Sequence, residues 1–148
     1  MRSTVAAKKL ISIAFLILVS TGALAQESIA EYQQKIVENY IDAFNLHDLD
    51  AMMDMVADNV QWLTIEGDEI IKEANSKEEL RATMTKYFED CVGCRSSLKH
   101  IYATGQRVMA LEVASFPTGH GTLSQQSASV YEFVGPRIRR VYYFPVEN

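Results

Sequence analysis

Histidine, cysteine and long apolar runs are scarce in this chain, and each scarcity removes a class of protein. Of 148 residues only two are cysteine, and they stand together as Cys91-Val-Gly-Cys94. One such pair cannot carry a disulfide-built scaffold, and a zinc site would need two further ligands that no nearby pair supplies. The three histidines, His47, His100 and His120, fall at a helix break, on a strand and at a hairpin tip. None of them pair at metal-ligand spacing, so neither a metal nor another cofactor is expected. No Gly-x-Ser-x-Gly elbow and no Ser-His-Asp order occur, which excludes hydrolases built on them. Positive charge is outnumbered, with 14 Lys and Arg against 19 Asp and Glu, for a formal charge of −5. Such a surface repels phosphates, so nucleic acid is not an expected partner. Arg137, Arg139 and Arg140 do cluster, and they read as a solvated strand end.

The one extended apolar run lies near the start. Arg2, Lys8 and Lys9 precede Leu10 to Val19, and Ala23-Leu24-Ala25 follows as a small-x-small site. That order is a secretory signal peptide over residues 1–25, with cleavage after Ala25. The run is too short to span a bilayer comfortably, so no membrane association is expected after cleavage. Loss of three basic residues leaves residues 26–148 more acidic than the whole. The expected location is periplasmic or secreted. In that compartment a Cys91–Cys94 disulfide is the default. A redox pair normally sits at a helix N-terminus, whereas Cys91 follows a helix; free thiols are the remaining alternative.

The remainder reads as one domain, with helices first and strands last. Ile29, Ile36, Val37, Tyr40, Ile41 and Phe44 recur at three- and four-residue spacing, predicting an amphipathic helix over 26–45. Asn45-Leu46-His47-Asp48 breaks it, and Asp48 is placed to cap a second helix over 48–57. A strand is expected from Val60 to Ile65 and a short one from Glu69 to Glu73. Ser76-Lys77-Glu78-Glu79 is a capping box that opens a third helix, 77–91. Four strands follow, over 97–104, 107–116, 122–134 and 138–145, with turns at Pro117 to Gly121 and at Gly135-Pro136. Helices followed by a meander of strands predict an α+β fold, a curved antiparallel sheet wrapped around N-terminal helices.

On strand 107–116, Met109, Leu111, Val113 and Ser115 share one face, and Val108, Ala110, Glu112, Ala114 and Phe116 the other. On the return strand Ser127, Ser129, Tyr131 and Phe133 are together. We read Ser115, Ser127 and Ser129 as pointing inward; Glu112, like Asp54 and Asp58, could be a buried carboxylate, yet it also has an outer-face reading. Both faces carry apolar residues, which suggests a homodimer packed through the outer one.

This arrangement resembles the nuclear-transport-factor-2-like superfamily, and specifically its SnoaL-like members. The resemblance rests on Ile36 to Asn45, His47 to Met52, Ala57 to Trp62, Ser129 to Phe133 and Ile138 to Phe144. It implies a cone-shaped α+β barrel with an internal pocket, common homodimers, and activities ranging over cyclases, ketosteroid isomerases, epoxide hydrolases and dehydratases. The ketosteroid isomerase pattern of an Asp base with a Tyr and a protonated Asp is a sharp test. Its Tyr falls on Tyr40, its base near Thr64 and its second Asp near Ser129. Both carboxylates are missing, and a Thr hydroxyl is too weak a base to remove a carbon-bound proton. Glu66, two residues beyond Thr64, is the nearby replacement.

No catalytic residue is therefore assigned from sequence. Tyr40, Trp62, Thr64, Tyr87, Ser115, Ser129, Tyr131 and Tyr143 are the expected ligand-binding set, with aromatic walls and small polar groups where a filled core would carry Val or Ala. Three functions compete. A small-molecule binder of an apolar, ring-bearing ligand requires an open pocket and no buried acid. An acid–base enzyme requires an ionisable group inside the cone. A structural dimer module requires a filled core.

Overall fold

The computed structural model describes residues 28–146. The leader read over 1–25 lies outside the described residues. No helix among the described residues is long and apolar enough to cross a membrane.

Helix α1 spans 28–46 and buries Val37, Tyr40 and Ile41 of the predicted stripe, with Gln33 and Ala43 beside them; Ile36 and Phe44 are half-buried and Ile29 is exposed. It stops at His47, whose φ of 56° lies in the left-handed region. Asp48 then accepts the Ala51 amide at 3.0 Å and caps α2, Leu49–Asp54. The second helix is shorter than expected. Val56 and Ala57, read as helical, instead open strand β1, Val56–Glu66. Both are buried, and the Ile138 amide donates to the Met55 carbonyl at 3.0 Å, so sheet pairing takes this segment. Strand β2 is Glu69–Ala74. Ser76 caps α3, Lys77–Asp90, and Glu79 reaches back to the Asn75 amide at 2.7 Å. Then come β3, Arg95–Thr104, β4, Arg107–Thr118, β5, Gly121–Val134, and β6, Arg137–Phe144.

The six strands lie in the order β2-β1-β6-β5-β4-β3. Four neighbouring pairs are antiparallel, but β1 and β6 run parallel. The sheet is thus mixed and unclosed, where the meander predicted antiparallel pairing throughout. A parallel partner needs a long crossover, and here α3 and the β3–β5 meander supply it. Irregularities in four of the pairings bend the sheet. Its inner face packs on the helices: Val37, Tyr40, Met52, Leu80, Met84 and Phe88 meet Val108, Ala110, Tyr131, Phe133 and Val141.

The face of β4 is the reverse of the expected one. Val108, Ala110 and Glu112 are buried, while Met109 is 42% exposed. Ser115 shares the outer face, where its hydroxyl meets that of Ser124 at 3.3 Å. On β5 the inward reading of Ser127, Ser129, Tyr131 and Phe133 agrees with their burial.

Candidate functional site

The inner face and the helices enclose a cavity of about 380 Å³. Ile41, Phe44, Trp62, Met84, Tyr87 and Phe116 give it apolar walls, and Tyr40, Thr64, Ser96, Glu112 and Tyr143 contribute polar groups. Phe44 anchors one side, with ring centroids 5.7 Å from Tyr87 and 5.3 Å from Phe88.

Glu112 is the buried acid of this cavity, at 6% exposure. Three hydroxyls surround its carboxylate. Oε1 accepts from Ser129 Oγ at 2.6 Å and from the Tyr131 phenol at 2.5 Å. Oε2 accepts from Ser96 Oγ at 3.2 Å. Register explains the grouping: Glu112 lies opposite Ser127, which brings Ser129 to its side, and Tyr131 is two residues further along the same face. Ser96 is held by a separate clip. Asn45, at the end of α1, donates to the Ser96 carbonyl at 2.7 Å and accepts from its amide at 2.8 Å.

Tyr40 is fully buried, and its hydroxyl has no hydrogen-bond partner among the described residues. Its ring meets that of Tyr131 edge-on at 6.3 Å. Burial, and then the nearby Glu112 charge, push the Tyr40 phenol far above its ordinary range. Burial likewise raises Tyr131, with the Glu112 charge and hydrogen bond adding to it. Both phenols therefore remain O–H donors at neutral pH. Tyr143 is raised by burial, though Ser127 donates to its oxygen at 2.7 Å and offsets part of the effect. Tyr87 is also raised, chiefly by burial.

Of the expected ligand-binding set, Tyr40, Trp62, Thr64, Tyr87 and Tyr143 line the cavity. Ser129 and Tyr131 stand behind Glu112 and hold it. Ser115 faces away, because β4 is turned over relative to our reading. Glu66, the replacement base, is exposed at the end of β1. The expectation of a pocket without a buried acid is overturned by Glu112. The sequence left this residue between a buried and an outer-face reading, and the structure gives the buried one; a carboxylate on one strand facing Ser and Tyr on the next was a usable signal. Cys91 and Cys94 form a disulfide with Cα atoms 5.4 Å apart. Among the described residues no group of three or more His, Cys, Asp or Glu side chains is placed to hold a metal ion.

A helix backed by a curved, unclosed, six-stranded mixed sheet defines the class: an α+β fold of the nuclear-transport-factor-2-like superfamily. Residues 37–141 match the model of the SnoaL-like domain, and the chain belongs to that family. No curated protein matches it in sequence. Several solved structures share the fold. An NTF2-like protein of unknown function from Burkholderia pseudomallei is 16% identical with a TM-score of 0.66, over 78% of this chain and 91% of that one. An epoxide hydrolase from M. tuberculosis is 16% identical with a TM-score of 0.66, over 79% of this chain and 84% of that one. TerC, co-crystallised with polyporic acid, is 12% identical with a TM-score of 0.67, over 78% of this chain and 92% of that one. At these identities the likeness is one of fold.

Proposed function

We propose that this chain is an exported small-molecule-binding domain whose cavity takes an apolar, ring-bearing compound with an oxygen at its buried end; the condition of no buried acid is given up, because Ser96, Ser129 and Tyr131 already satisfy Glu112 as part of the cavity wall. The unpartnered Tyr40 hydroxyl carries this reading. A buried phenol without a partner costs about 1–3 kcal/mol, a cost that a ligand oxygen would relieve. The aromatic walls suit a ring, and a related fold was co-crystallised with polyporic acid. Native mass spectrometry of the protein purified from its exported compartment tests it. A retained small molecule is expected in the wild type and is weakened or absent in Tyr40→Phe. Retention unchanged by that substitution, or no retained molecule at all, would count against it.

A second reading is favoured by Glu112 itself. Its Oε2 receives only the longer hydrogen bond, so this oxygen is the one free to act as a base. Glu112 would take a proton from a carbon beside a carbonyl, the C–H pair would move toward that carbonyl, and the Tyr40 O–H would donate to its oxygen. Deuterium uptake from solvent into a bound ring ketone, lost in Glu112→Gln, is the expected sign. Uptake at the uncatalysed rate in the wild type would remove this reading.

We also propose a homodimer through the outer sheet face, where Tyr102, Met109, Val130 and Tyr142 stand in one cross-strand row. Light scattering of the wild type against Met109→Glu distinguishes dimer from monomer.

A further inference from the structure

The cavity's rim carries a cation that neither reading above uses. Among the residues lining the cavity, Arg95 is the sole Lys or Arg. Other arginines of the sheet are committed: Arg107, Arg139 and Arg140 all pair with Glu132. Arg95 forms no ion pair among the described residues, although the chain is acidic overall.

Arg95 is nonetheless held in place. Its Nη1 donates to the Val92 carbonyl at 3.1 Å and to the Cys94 carbonyl at 2.7 Å, and contacts His47 Nε2 at 3.3 Å. All three contacts fall on one nitrogen, which leaves Nε and Nη2 to face other acceptors. The supports are themselves fixed. Val92 and Cys94 belong to the turn closed by the disulfide. That turn sits tightly on β4, since a Cβ at Gly93 would lie 2.8 Å from Pro117 Cγ. His47 stacks on Phe88 at 4.2 Å. A guanidinium anchored by one nitrogen, with its other two nitrogens left over, is a fork suited to a carboxylate, sulfonate or similar anion.

We propose that Arg95 selects ligands carrying an anionic group, so that the cavity's natural occupant is an amphipathic organic acid. Its anion meets Arg95 at the rim, and its rings lie along Trp62 and Phe44. Its uncharged oxygen reaches Tyr40. This rests on the small-molecule reading of the cavity and adds the charge of the ligand to it.

A matched pair of fluorescent probes tests the inference: anilinonaphthalene sulfonate and its uncharged parent anilinonaphthalene. They share rings and differ in the anion. Each is titrated into the wild type, Arg95→Met and Arg95→Lys, with folding checked by circular dichroism. The wild type is expected to prefer the sulfonate by roughly five- to tenfold, a partly exposed charge-assisted contact. Arg95→Met should remove that preference, so that the two probes bind with equal affinity; a preference that persists in Arg95→Met would overturn the role of Arg95. Arg95→Lys should retain part of it, and added salt should erode it. Equal binding of both probes by the wild type would overturn the role of Arg95 and leave the cavity reading intact. Binding of neither would overturn both. Should Arg95→Met fail to fold, the salt dependence and the Lys variant decide: a preference that ignores salt and survives unchanged in Arg95→Lys would sink the proposal.

Discussion

At the scale of single residues, Glu112 joins structure to chemistry. It is buried, it takes three hydroxyl hydrogen bonds, and it lines the cavity. Glu112→Leu leaves those three donors without an acceptor and is expected to cost about 2–4 kcal/mol. Glu112→Gln keeps a carbonyl for Ser129 and Tyr131 and turns an amide toward Ser96, so it should cost about 1 kcal/mol or less. Urea denaturation of the two variants checks the order, and a larger loss in Gln than in Leu would refute this account of the network. The buried tyrosines give a pH dependence of definite sign. Burial raises Tyr40 and Tyr131 above their ordinary range, so above pH ~10 the unfolded chain loses protons that the folded chain keeps. Stability is full below that range and falls as pH rises through it, by about 1.4 kcal/mol per unit for each buried phenol. In an alkaline titration, phenolate absorbance from these two should appear only together with loss of the circular dichroism signal. Early, reversible ionisation of all seven tyrosines in the folded protein would contradict it.

At the scale of elements, local signals were legible wherever the chain's own backbone needed a partner. Ser76 accepts from the Glu79 amide at 3.1 Å, as the capping box predicts, and the Glu79 side chain reaches back one residue beyond the cap, to the Asn75 amide. Ser76→Ala should therefore cost about 1 kcal/mol, read from the shift in denaturation midpoint. A lysine also ties this helix start to β1, through Lys77 and Asp58 at 3.0 Å. Lys77 holds the Asp58 carboxyl below its ordinary range. That contribution is present above the ordinary carboxylate range and lost as pH falls through the lowered value. What local signals could not settle was set by partners distant in sequence. Val56 and Ala57 fit a helix until Ile138 is known to pair beside them. Strand β4 carries apolar side chains on both faces, so alternation alone cannot say which is inside. Met109, Leu111 and Val113 are as hydrophobic as Val108 and Ala110. The register with β5 decides, because Ala110 lies opposite buried Ser129 and Val108 opposite buried Tyr131. The parallel β1–β6 pair was invisible for the same reason. The aromatic members of the site were legible because they lie on helix stripes and on a strand of clear face. Glu112 and Arg95 were not, since their meaning comes from β5, from Asn45 and from the turn at Cys91.

At the scale of the molecule, the question is why a chain of this size leaves its interior open. Folding favours close packing, and each unfilled volume the size of a methyl group costs about 1 kcal/mol. A cavity of about 380 Å³ is thus a standing cost, spread over a sheet that bends around the helices without closing. Such a cost persists where function needs the space. Ala114 tests this directly, because it lines the cavity on the same face of β4 as Glu112 and contacts neither Tyr40 nor Glu112 through a hydrogen bond. Ala114→Phe places a ring in the open volume beside Phe116. If the space is reserved for a ligand, the substitution should leave stability unchanged or raise it by about 1 kcal/mol, and abolish binding of both anilinonaphthalene probes. The variant would then be at least as stable and functionally empty. If the volume is instead taken up by side chains that move in solution, the added ring overpacks the core. Stability should then fall by about 1–3 kcal/mol, and binding would have no cavity to lose. Denaturation midpoints and probe fluorescence, measured on the same sample, separate these outcomes. Unchanged or raised stability coupled to a loss of binding is the result that a site held open at a cost requires.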